Sequence, residues 1–229
     1  MYINYSEYNF ESCEHSDRLI SQLVITNNLS QRKINIPKIK QAIYCAKIYH
    51  QSQKRDSGEP YYTHPLAVAS MVARYNFDTN LIIAAILHDT IEDTEATYES
   101  IEAMFGTEIA IYVQALSRIV GDQKISVEDS LKKICKLNNN GVLLIKLCDR
   151  LHNIQTIRVK SKEKISRTID EVLKIFITLS FKIQNPELEK KIYELCITTF
   201  QKTTNYSKLF SQDSQNNLFH SQTIRLLES

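Results

Sequence analysis

The chain has 229 residues, 43% of them hydrophobic and 24% charged, with a net charge of +2. Those values suit one large or two small soluble globular units, and they remove any strong electrostatic case for a nucleic-acid or membrane partner. Four glycines, four prolines and five scattered cysteines with no CxxC pair favour long helices on short connections and reduced thiols in a cytoplasmic setting.

No basic stretch followed by an apolar run opens the sequence, and no segment approaches ~18 uninterrupted apolar residues, so neither a signal peptide nor a membrane span is expected. Residues 1–36 read as a mixed polar extension in which "LISQLVITNNL" could form a helix. From Pro37 the pattern sharpens. "PKIKQAIYCAKIYHQSQ" sets Ile39, Ala42, Ile43, Ala46 and Tyr49 or His50 on one face, and a proline in the first turn suits a helix start. "RDSGEPYYTHP", residues 55–65, reads as a loop. "HPLAVASMVARYN" follows as a helix, and "DTNLIIAAILHDTIED" is apolar almost all round, the mark of a central buried helix.

Further along, "TYESIEAMF" is a short amphipathic helix with Thr97 at its capping position, and Gly106 punctuates it. "TEIAIYVQALSRI" is the next helix and "VGDQK" a loop. "SVEDSLKKICKLN" and "GVLLIKLCDRLHNIQTIRV" are helices parted by "NNNG". Residues 160–182 and 186–202 give two more, divided at Asn185-Pro186, and the polar tail 203–229 supports no assignment. No strand-period alternation is long enough to build a sheet, so the fold class is all-α.

The apolar run Leu81–Leu87 turns within one residue into His88-Asp89, followed by Glu92-Asp93. Burying unpaired carboxylates is costly, so the cluster needs a metal ion, a set of basic side chains, or a helix end that emerges into water. Taking His88 as zero on a continuous helix, Asp89 falls near 100°, Glu92 near 40° and Asp93 near 140°. A second polar set lies in "IKLCDRLHNIQT", where Asp149 and Asn153 stack at i,i+4 and Thr156 continues the face. His64 stands at a loop-to-helix junction. Two imidazoles and two carboxylates suit a divalent transition ion, and an ion with an open position can acidify water for hydrolysis, leaving Glu92 and Asp93 beside it to move protons. The remaining histidines read otherwise. His15, His50 and His220 are expected to be solvated, and His152 to pack or to support the site from behind. Arg118 and Lys124 are the nearest cations after "ALSRI".

His64, His88-Asp89 and Asp149 together resemble the HD-domain metal-dependent phosphohydrolases. "SGEPYYTHPLAVA", "AAILHDTIEDT", "FG" at 105–106 and "IKLCDRLHNIQT" resemble more closely the hydrolase domain of RelA/SpoT homologues and the stand-alone small alarmone hydrolases, over about residues 37–200. The resemblance implies an HD-domain helical bundle with a metal in its core. It implies an enzyme of the stringent response that removes the 3′-pyrophosphate of the alarmone (p)ppGpp, giving GDP or GTP and pyrophosphate. It implies one Mn²⁺ at His64, His88, Asp89 and Asp149, a catalytic pair at Glu92 and Asp93, and nucleotide contacts from Arg55, Ser57, Asn153 and Thr156, with Arg55 stacked on the base. The expected division is an extension at 1–36, the hydrolase domain at 37–202 and a tail at 203–229. The expected partner is a guanine nucleotide rather than nucleic acid or membrane, and an oligomer is compatible with the sequence. The competing readings are an HD nucleotidase acting on another nucleotide such as NADPH, and a non-catalytic alarmone-binding remnant of a bifunctional protein.

Overall fold

The computed structural model describes residues 13–121 and 123–157, together with residues 183, 186, 190, 194 and 198. The helix expected at 160–182 and the tail lie outside the described residues, as does most of the helix expected at 186–202. The chain divides into two compact units, Met1–His152 and Asn153–Ser229, and the helical bundle described here is the first.

Its centre is α4, Thr79–Leu87. Seven successive residues, Leu81 to Leu87, are buried, so this helix has no solvent face and must be surrounded. The helices α2 (Ile36–Tyr49) and α3 (Thr63–Tyr75) pack against it, as does α7 (Thr107–Leu116). Within the expected extension, α1 (Glu14–Leu29) buries Leu19 and Leu23 and lies against α2 and α3. A short α5 (Thr90–Asp93) follows α4, and α6 (Tyr98–Phe105) packs on α7. The last two described helices are α8 (Val127–Lys136) and α9 (Asn140–Gln155).

Helix ends are satisfied by local chemistry. Asp78 accepts from the Asn80 and Leu81 N–H groups at the start of α4, and Asn35 accepts from Lys38 N–H at the start of α2, where Pro37 occupies the first turn. Thr97 and Ser100 cap α6 reciprocally. At the other polarity, Lys133 donates to the Gln114 and Ser117 carbonyls at the end of α7, and Lys38 donates to the Phe105 carbonyl at the end of α6. Each lysine meets orphan carbonyls at the negative end of a helix dipole.

Two expectations are corrected. The segment read as one helix from Asp78 to Asp93 breaks at His88-Asp89. His88 Nδ1–H donates to the Ala85 carbonyl at 2.8 Å and Thr90 Oγ1–H to the Leu87 carbonyl at 2.7 Å. Side chains thus engage carbonyls that a continuing helix would fill with backbone N–H groups. "VGDQK" is not plain loop but a small antiparallel ribbon, with β1 (Ile119–Val120) paired to β2 (Gln123–Lys124). Gly121, at φ 58°, makes the turn.

Between α8 and α9, Asn138 takes φ 48°, which asparagine tolerates better than most residues. Gly141, expected to punctuate, sits inside α9 instead. A Cβ there would lie 2.3 Å from Leu81 Cδ1, so the glycine is what lets α9 approach α4. That approach carries Asp149 toward the end of α4. Among the described residues, no helix is long and apolar enough to cross a membrane.

Candidate active site

Four side chains from three parts of the chain converge at the C-terminal end of α4. His64 comes from the first turn of α3, His88 and Asp89 from the break after α4, and Asp149 from α9. Ligand atoms of His64, His88 and Asp149 all lie within 4.8 Å of one another, and all three residues are buried. His64 Nε2 is 3.2 Å from Asp149 Oδ1, and His88 Nε2 is 3.8 Å from the same oxygen. Asp89 completes the ring with one oxygen toward each imidazole, at 3.1 Å from His88 Nε2 and 3.6 Å from His64 Nε2.

The donor set fits a divalent cation. Because His88 Nδ1–H donates to Ala85, its Nε2 lone pair faces the cluster, and that nitrogen is buried without a hydrogen-bond partner. A buried orphan of this kind requires an explanation, and an ion supplies one. His64 Nδ1 lies 2.8 Å from His152 Nδ1, leaving its Nε2 directed at the carboxylates. A second hydrogen bond behind each imidazole is the usual support of a metal-binding histidine. Mixed nitrogen and oxygen donors suit a divalent transition metal.

Electrostatics agree. Burial disfavours charge at His88, Asp89 and Asp149, yet the opposite charges outweigh it. The two carboxylates hold the His88 imidazole up to about 9, and both carboxyls lie well below the usual range. Without a metal the cluster retains a proton to balance its negative charge; with one, the ion replaces that proton. Lys146, buried on α9, lies 3.7 Å from Asp149 Oδ2, and Arg150 Nε lies 3.6 Å from the same oxygen. Sequence reading gave Lys146 no part, since a lysine amid apolar residues has no distinctive spacing.

The helix break sends Glu92 and Asp93 different ways. Glu92 turns toward the ribbon, where Lys124 Nζ meets Oε1 at 2.7 Å and the Arg118 backbone N–H meets Oε2 at 2.8 Å. These contacts overcome burial and hold its carboxyl below the ordinary value. Asp93 turns toward Tyr61, whose hydroxyl lies 3.0 Å from Asp93 Oδ2 and 2.9 Å from Asp89 Oδ2. Partial desolvation and the Asp89 charge push the Asp93 carboxyl up. Tyr61 carried no signal in the sequence. His50, expected to be solvated, is buried with Nδ1 on Gln53 Oε1 at 2.8 Å and its ring 4.8 Å from that of Tyr61.

Arg55 and Ser57 stand in a tight loop. Arg55 N–H donates to the Glu59 carbonyl and Gly58 N–H to the Arg55 carbonyl, with Gly58 at φ 88°. Ser57 is exposed and Arg55 half-buried, near enough for its charge to disfavour a protonated His152. The Arg118 guanidinium, one of the two cations noted after "ALSRI", donates to the Ile125 carbonyl. Asn153 is half-buried on the last turn of α9 and Thr156 is exposed just beyond it, its hydroxyl on the Asn153 carbonyl at 3.5 Å. Both belong to the second unit.

A helical bundle that closes on two histidines and two aspartates defines an all-α domain with a candidate metal site in its core. The chain belongs to the HD domain family, which it matches over residues 42–182. It is 36% identical over 166 residues to the bifunctional (p)ppGpp synthase/hydrolase SpoT of Escherichia coli K12, covering 70% of this chain and 24% of that protein. It is 35% identical over 168 residues to the GTP pyrophosphokinase rsh of Brucella melitensis, covering 71% of this chain and 22% of that one. The chain thus spans about a quarter of the length of these curated relatives. Among solved structures, a metazoan orthologue of SpoT that hydrolyzes ppGpp shares the fold at TM-score 0.60 and 24% identity, over 70% of this chain and 94% of that one.

Proposed function

We propose that the chain hydrolyses the 3′-pyrophosphate of (p)ppGpp to GDP or GTP and pyrophosphate, with one Mn²⁺ held by His64, His88, Asp89 and Asp149. The observation that carries this reading is the buried Nε2 of His88, which makes no well-formed hydrogen bond and faces Asp89, Asp149 and His64. The name of the Escherichia coli relative joins a synthase and a hydrolase. Of the two, hydrolysis is what a histidine–aspartate cluster suits, since a bound divalent ion polarises a phosphoryl oxygen and lowers the pKa of water beside it.

The protein's own groups divide the remaining work. His88 and His64 would each present Nε2 to the ion, their rings held in place through Nδ1 by the Ala85 carbonyl and by His152. Glu92 and Asp93 are neighbours whose surroundings push their carboxyls in opposite directions, and such pairs separate the roles of acid and base. Asp93, raised and open to solvent, is the group that gives a proton to the leaving oxygen. Glu92 stays ionised beside Lys124 and orients the attacking water. Arg55 and Ser57 belong to the loop that holds the guanine nucleotide, Arg55 stacking on the base, and Asn153 and Thr156 are positions that contact the ribose and the site interior.

Pyrophosphate release from ppGpp with Mn²⁺, with and without chelator, tests the proposal. The expected result is turnover abolished by chelator. His88→Ala should lose both metal and activity, and Glu92→Ala should keep metal and lose about 10²–10⁴-fold in kcat. A folded, metal-loaded protein inert toward ppGpp overturns the reading. Preferential turnover of NADPH in a competition panel would transfer the same chemistry to another nucleotide.

A further inference from the structure

Asp93 lies on a four-residue helix at the exposed edge of the site, a poor platform for a group that must meet a reacting atom within a fraction of an ångström. What holds it comes from a separate segment, residues 50–61. The Tyr61 hydroxyl lies 3.0 Å from Asp93 Oδ2 and 2.9 Å from Asp89 Oδ2. A phenol has one proton, so the two carboxylates share a single donor and their positions become linked through it. Tyr61 itself is fixed. Its backbone N–H donates to the Gln53 carbonyl at 3.0 Å, and its ring packs on the buried His50 at 4.8 Å and edge-on to His64 at 6.2 Å. Gln53 reaches the same target by a second route. Its Nε2 donates to the Asp93 backbone carbonyl at 2.6 Å, while its Oε1 meets His50 Nδ1 at 2.8 Å. Both the side chain and the main chain of Asp93 are therefore tied to one braced segment, and Tyr61 extends that brace to a residue of the metal set.

We propose that Tyr61 is a positioning residue that acts through Asp93, registering the proton-handling carboxyl against the metal-site carboxylate Asp89. This rests on the reading of Asp93 as a reacting group. Tyr61→Phe removes the shared donor but keeps the ring that packs on His50 and His64. The expected effect is a fall in kcat of about 10- to 100-fold, with KM for ppGpp, Mn²⁺ content and thermal midpoint close to wild type.

The decisive measurement is the double variant. In an Asp93→Asn background, Tyr61→Phe should cost less than about threefold more, because residues acting as a unit are not additive. A merely structural tyrosine would cost the same factor in both backgrounds, and that result overturns the proposal, as does wild-type kcat in Tyr61→Phe. Loss of Mn²⁺ repaired by excess metal would place the effect at Asp89 instead and also overturn it. A readout independent of turnover accompanies these. The carboxyl ¹³C resonance of Asp93 should move on Tyr61→Phe in protein loaded with diamagnetic Zn²⁺ or Mg²⁺ in place of paramagnetic Mn²⁺, and no movement refutes the link even if ppGpp proves not to be the substrate. Failure of wild-type protein to turn over ppGpp would count against the proposed function alone.

Discussion

Replacing His152 tests how the metal site is prepared. His152 Nδ1 and His64 Nδ1 lie 2.8 Å apart, so one ring must donate and the other accept. Burial, with the neighbouring His64 and Arg55, pushes His152 down to about 3, so His152 is neutral at any working pH and can accept. A metal ion on His64 Nε2, which lies 3.2 Å from Asp149 Oδ1, would require the His64 proton on Nδ1 and so make Nδ1–H the donor to His152. This tautomer is assigned from that requirement. His152→Ala leaves the His64 donor without its acceptor and frees the ring to rotate. Losing such support typically costs about 10- to 100-fold in metal affinity, or about 1.4–2.8 kcal/mol. That range matches the cost of stranding one buried polar group, about 1–3 kcal/mol. Titration of metal-free protein with Mn²⁺, by calorimetry or chelator competition at fixed pH, measures it directly. His152→Asn, which can still accept through its amide oxygen, should recover part of the loss. His152→Ala binding within about twofold of wild type would refute the claim that His152 orients His64.

Gly141→Ala should lower the denaturation midpoint. Its Cβ would sit 2.3 and 2.7 Å from the two Leu81 methyl carbons, and overpacking of about 1–3 kcal/mol exceeds the roughly 1 kcal/mol gained in helix propensity. Leu81→Ala in the same chain should relieve the clash, and an unchanged midpoint in Gly141→Ala alone would count against the close approach of α9 to α4. The metal-free protein should lose stability between pH 6.5 and about 9. His88 is held up to about 9 from an ordinary 6.5, so its contribution is complete below 6.5 and disappears as pH rises through 9. Thermal melts in chelator across that range check the slope, which should flatten or reverse once metal replaces the proton. Lys124→Met should change stability by less than about 1 kcal/mol, because Lys124 is 54% exposed and its pair with Glu92 is solvent-screened. The Glu92 carboxyl should nevertheless titrate higher by NMR, and an unmoved Glu92 would show that Lys124 does not hold it.

The buried helices were legible because their periodicity is strong. The run Leu81–Leu87 read as a central helix and Thr97 as a cap, whereas the caps at Asn35 and Asp78 emerged only with the structure. His64, His88, Asp89 and Asp149 stood out for the complementary reason, as polar groups where an apolar face was expected. The angular arithmetic beyond His88 was less informative. It assumed an unbroken helix, and two side-chain hydrogen bonds to carbonyls end that helix between Leu87 and Thr90.

Composition and pattern alone determined that this chain builds helices around an apolar centre and carries two imidazoles and two carboxylates on or beside segments that water does not reach. Tertiary structure alone decided that Glu92 faces Lys124 while Asp93 faces Tyr61, that His50 is buried, and that of the site's two imidazoles it is His64 that His152 supports. The division has a physical cause. A helix or a cap is set by neighbours a few residues away, within one turn. The partners that tune a carboxylate or an imidazole are brought in by packing from tens of residues away, and no periodicity in the chain records which of them will arrive.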